Sequence, residues 1–153
     1  MCGSVRSIGK WILCAALVFV GCERTLPDDL PSLMSSMNSN NETTSVAASN
    51  KVAKLYGKAG LLQVLTSGGP TARAMSARWL VPFEDAEVER ALIATLNNDH
   101  DSAVRIRVLW TLKDTGTSAS LEAVDRATQD RDAPVAAMAR DAASAIRMRS
   151  KRG

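Results

Sequence analysis

Beyond residue 22 this chain of 153 residues has no cysteine at all; Cys2, Cys14 and Cys22 are its only three. The rest of the chain therefore excludes a disulfide framework and any thiolate metal site. Aromatic residues make up only 4% against 46% hydrophobic, most of it Ala, Leu and Val. That composition disfavours a sheet of bulky β-formers and favours closely packed helices. A surplus of one charge is also missing. Subtracting Arg6 and Lys10, which lie in a segment expected to be removed, from 19 basic residues leaves 17 against 16 acidic ones. A near-neutral chain lacks the cation excess that general nucleic-acid binding requires.

Catalytic patterns are lacking as well. Gly57, Gly60, Gly68 and Gly69 stand in no phosphate-loop context, and no nucleophile elbow or metal-ligand spacing occurs. His100, the one histidine, sits between Asp99 and Asp101 in an inter-helix loop. Without converging partners it reads as a solvated loop residue. Glu84, Asp85, Glu87 and Glu89 crowd a helix start, where negative charge suits the positive end of the helix dipole. The sequence thus predicts no catalytic residue, no cofactor and no metal.

The longest apolar run, Trp11 to Val20, follows Arg6 and Lys10 and ends at Gly21-Cys22 before Glu23 and Arg24. Crossing about 30 Å of hydrocarbon takes about 20 apolar residues, so the run is too short to span and has the order of an export signal instead. Phe19-Val20-Gly21-Cys22 resembles the bacterial lipobox, with Phe19 in place of the usual Leu. The resemblance implies cleavage between Gly21 and Cys22, a diacylglyceryl group on the Cys22 sulfur, and a membrane anchor. Glu23, where an inner-membrane lipoprotein tends to carry Asp, favours the outer membrane, facing the periplasm. Residues 1–21 are accordingly expected to be a signal peptide. Residues 22–45, rich in Ser and Asn and without apolar periodicity, are expected to form a lipidated flexible tether, with a short interaction segment around Leu30, Leu33 and Met34 as the alternative.

After the tether the chain repeats. Leu61-Leu-Gln-Val-Leu65 matches Leu92-Ile-Ala-Thr-Leu96 at a period of 31, and Ala123 to Ala127 follows at the same interval. Asp99 to Arg105 and Asp130 to Ala136 agree in phase, with Pro70 to Arg73 one copy earlier. Asp101 and Asp132 are placed to cap helix starts, and Pro134 fits a first turn. Apolar residues recur at spacings of 3 and 4 in Val88, Ala91, Leu92, Leu96 and in Val135, Met138, Ala139, Ala142, Ile146. Two helices fill each period, and stacking of the pairs makes the core.

Asp101-Ser-Ala-Val-Arg105 resembles the short HEAT-like repeat family. The resemblance covers residues 46 to 149 and implies an all-α solenoid of about three stacked helix pairs with a terminal capping helix, followed by a basic tail at 150–153. It implies that Asp101, Arg105 and Arg73 cross-link adjacent pairs. It implies further that second helices line the binding face, while Trp79 and Trp110, in first helices, are themselves expected to pack in the core or between repeats. On those helices Gln63, Glu89, Arg90, Glu122, Asp125 and Arg126 are the outward polar positions expected to meet a partner. The basic run Arg147, Arg149, Lys151 and Arg152 reads as a solvated helix end. Together these readings describe a lipid-anchored adaptor or scaffold that binds an envelope protein and no nucleic acid. An envelope assembly or immunity factor is the alternative, and a lyase-type enzyme, which the HEAT-like family includes, a more distant one.

Overall fold

The computed structural model describes residues 26–152. The signal segment 1–21 and the lipidation site at Gly21 and Cys22 lie outside them. Seven α-helices follow in order: α1 (Leu30–Met37), α2 (Glu42–Ser67), α3 (Pro70–Trp79), α4 (Ala86–Asn98), α5 (Ser102–Thr115), α6 (Leu121–Ala127) and α7 (Ala133–Ser150), with one turn of 3-10 helix at Ser118–Ser120. The described residues contain no strand, and none of their helices is long and apolar enough to cross a membrane.

Helix starts are set by side chains that accept first-turn amides. Asp101 takes the amides of Ala103 and Val104, Asp132 that of Val135, and Asp85 those of Glu87 and Val88. Stops come from glycine, with Gly68 after α2 and Gly116 after α5. The helices stack in two layers. Helices α3, α5 and α7 pack side by side in one, while α4 lies between α2 and α6 in the other. Leu61, Val64 and Leu65 of α2, Leu92 and Leu96 of α4, and Val124 of α6 are all buried between the layers. The period of 31 thus marks one layer of second helices, and the fold is the expected α-solenoid. Each fully buried leucine contributes roughly 1.5–3 kcal/mol over an exposed one.

Helix α2 spans 26 residues but is bent at Gly57, whose φ of 57° and ψ of −148° only glycine adopts readily. The bend splits one continuous element into two arms, 42–56 and 58–67. The second arm joins the layer of α4 and α6.

Three sequence expectations need correction. The segment expected to be a flexible tether, 22–45, is helical over Leu30–Met37 and again from Glu42, so the packed domain begins well before residue 46. Leu30, Leu33 and Met37, spaced for one helix face, are buried against the core. Asp29 accepts the Ser32 amide at 2.9 Å, Asn41 the Thr44 amide at 3.1 Å, and Asn38 ties the intervening turn to the Thr71 amide at 3.1 Å. The Ser and Asn residues that compete with helix in isolation act here as caps and turn anchors.

Trp110 is 47% exposed, with the Lys113 ammonium 5.1 Å from its ring centre, and is not a core residue; Trp79 is half-buried against the core as expected. The basic run at the C-terminal end is not simply solvated. Arg147 pairs with Asp125 at 2.7 Å, and Arg149 donates to the carbonyls of Leu112, Lys113 and Gly116, closing the C-terminal end of α5.

Candidate interaction surface

Two bidentate ion pairs run along one edge of the stack. Arg73, on α3, donates through Nε and Nη2 to Asp99 at 2.7 and 2.8 Å, and Arg105, on α5, does the same to Asp130 at 2.8 and 2.9 Å. The remaining nitrogen also repeats its role: Nη1 of Arg73 binds the Gly68 carbonyl, and Nη1 of Arg105 those of Asp99 and His100. Both carboxylates accept a backbone amide two residues on, from Asp101 and Asp132. Each link therefore fastens an arginine of one repeat to the loop opening the next. Burial pushes the Asp99 carboxyl up, but the hydrogen bonds from Arg73 and from the Asp101 amide prevail and hold it below the ordinary value. The Arg105 guanidinium holds Asp130 below its ordinary value against a smaller burial effect.

This corrects the expected cross-link in one respect. Asp101 caps α5, and the carboxylate that pairs with arginine is the one two residues earlier. The ladder stops at α7 because position 136 is alanine.

Between the second arm of α2 and α4 lies a shallow groove of about 400 Å³. Leu65, Ala91 and Ala94 give it an apolar floor; Thr66, Thr95, Asn98 and His100 form the rim, and the Arg73–Asp99 pair closes one end. A second groove, on the far side of the His100 loop, is bounded by Asn97, Arg105, Asp130 and Arg131. Both grooves combine apolar and hydrogen-bonding side chains. Among the described residues no group of three His, Cys, Asp or Glu is placed to hold a metal ion.

The six outward positions read from the sequence divide into three kinds. Glu89 is half-buried and accepts from the Thr117 amide at 2.7 Å and its hydroxyl at 2.9 Å, pinning the turn before α6. Asp125 is held by Arg147. These two are occupied within the fold. Glu122 and Arg126 pair with each other on the surface of α6, and Arg126 also reaches Asn97 of α4 at 3.5 Å. Gln63 and Arg90 are exposed, with no side-chain hydrogen bond among the described residues. None of the six lines the α2–α4 groove. Its small floor residues, Ala91 and Ala94, carry no chemical signal in a sequence; only the spacing of neighbouring second helices marks them.

Repeated helix pairs, an arginine–aspartate ladder between them and grooves between successive second helices define the class: a helical-repeat protein of the α-solenoid kind. The family model described as HEAT repeats matches residues 59–144, more than half of the chain. The chain belongs to the HEAT repeat family. No curated protein matches it.

Proposed function

We propose that this protein is a lipid-anchored scaffold of the bacterial envelope. Lipid on Cys22 holds it to the membrane, and its HEAT repeats hold a partner protein. The observation that carries the binding role is the groove between α2 and α4, where exposed Ala94 and half-buried Ala91 lie over buried Leu65 beside an ion-paired edge. Rigid, pre-shaped apolar recesses with a few polar rim groups favour recognition at low ordering cost. Gln63 and Arg90, exposed on the two flanking helices, and the Glu122–Arg126 pair further along are the polar positions best placed to choose the partner. Glu89 and Asp125 act instead as internal ties. Binding is the role proposed, on the shape of these grooves and the hydrogen-bonding groups at their rims.

The lipid anchor rests on the lipobox-like Phe19-Val-Gly-Cys22, and the outer-membrane destination on Glu23. Two measurements test the reading. Mass spectrometry of the mature N-terminus should find a lipidated Cys22, absent in Cys22→Ala; an intact signal with an unmodified thiol overturns the anchor. In envelope fractions, cross-linking to a protein partner should be lost on Ala94→Arg, which fills the groove at an exposed position. Undiminished cross-linking by that folded variant would move the binding site elsewhere.

A further inference from the structure

The distance between the proposed lipid site and the packed domain is short. Leu26 is already packed against the core, and Lys51 donates to its carbonyl at 2.5 Å. Two residues further along the chain, the Tyr56 hydroxyl donates to the Asp28 carbonyl at 2.7 Å, and Lys51 pairs with the Asp28 carboxylate at 2.7 Å. Asp29 then caps α1. Residues 26–29 are thus fastened along the first arm of α2. Only four peptide steps separate Cys22 from Leu26. At no more than about 3.6 Å per step, the two Cα atoms lie within roughly 15 Å of each other.

The surface beside this strap is the most apolar exposed part of the N-terminal end. Leu55 is 51% exposed and Tyr56 38% exposed, and Leu55 lies one helical turn from Lys51, on the side of α2 that carries the strap. Exposed Lys54 adjoins them. We infer that Leu55 and Tyr56 form a membrane-contact patch that rests in the lipid headgroup layer. The inference depends on the lipid anchor proposed above and adds an orientation to it: the stack stands on its N-terminal end, not at the end of a long leash.

Three considerations select lipid as the occupant. Acyl chains on Cys22 fix that residue at the bilayer surface, and the short connection keeps the strap within roughly 15 Å of it. A headgroup layer of about 5–7 Å per leaflet accepts a tyrosine ring and a leucine side chain while the hydroxyl keeps its polar partner. Charge is balanced, with Lys51 and Lys54 against Asp28 and Asp29, so apolar contact and tether length do the holding without a need for anionic lipid.

The test uses the full lipidated chain in phosphatidylcholine vesicles. After signal cleavage, with Cys22 blocked by its lipid, Leu55→Cys supplies the one free thiol for a polarity-sensitive fluorophore; Ala137→Cys, exposed on α7, is the reference. The label at 55 should emit at shorter wavelength than the label at 137, resist iodide, and be quenched by nitroxide-bearing lipid. Emission at 55 like that at 137, on protein whose N-terminal mass shows the lipid, overturns the patch and leaves the anchor standing. A shielded label that nitroxide lipid does not quench also overturns it, because protein then covers the site. An N-terminal mass without lipid overturns the anchor itself.

Discussion

Arg105 and Asp130 lie 25 residues apart in sequence yet share two parallel hydrogen bonds, and both side chains are largely buried, 8% and 13% exposed. A planar guanidinium matched to a carboxylate at low exposure is a strong and directional contact.

Breaking that pair should be costly. In Asp130→Asn the side-chain oxygen that accepts the Asp132 amide is kept while the counterion of Arg105 is removed. A buried charge left alone costs about 3–5 kcal/mol, and with some solvent access here the lower end is expected. Asp125→Asn, which breaks the half-exposed pair with Arg147, should cost less than about 1 kcal/mol. Urea unfolding of the two variants compares them directly, and equal losses would show that the ladder is not a main source of stability.

The same carboxylates make stability depend on acid. Asp99 and Asp130 titrate below their ordinary value of 3.8 in the fold. Their stabilisation is complete above that value and is lost as pH falls through the lower folded values, because the unfolded chain takes up protons first. Unfolding free energy should therefore fall with acidification below about pH 4. The double variant Asp99→Asn with Asp130→Asn should start less stable and show a flatter acid limb. An unchanged limb would place the acid sensitivity in other groups.

Gly57 supplies the bend in α2. A methyl group there would meet no atom within 4 Å, so Gly57→Ala tests backbone conformation alone. Holding alanine at this positive φ should cost about 1–3 kcal/mol, unless α2 straightens and detaches one arm. Thermal unfolding together with amide exchange in residues 58–67 distinguishes strain from detachment. A neutral substitution would mean that the bend is not fixed by this residue.

Leu33 is fully buried under α1. Leu33→Ala should destabilise the domain by about 2–5 kcal/mol, a loss that a flexible tether would never show. Chemical denaturation of the full chain decides between them.

The period, the two-helix content of each unit and the capping by Asp101 and Asp132 were all legible in the sequence, because they depend on local spacing and short-range hydrogen bonds. The arginine's true partner was not. Asp99 and Asp101 recur with the same period, as do Asp130 and Asp132, and only the packing of one helix on the next decides which carboxylate caps and which pairs. Helix α1 was hidden for a related reason. Leu30, Leu33 and Met37 do have helical spacing, but eight residues rich in serine gain a helix only when docked on α2. The bend at Gly57 and the exposure of Trp110 were equally invisible, since neither a glycine nor a tryptophan states its surroundings.

Both ion pairs of the ladder join one unit to another. Arg73 finds its carboxylate 26 residues on, and Arg105 finds its own 25 residues on. A single excised unit would therefore carry a guanidinium and a carboxylate that both lack a mate, besides an uncovered apolar face. The stack should melt as a cooperative whole, and a truncation through its middle should cost far more stability than the fraction of residues removed.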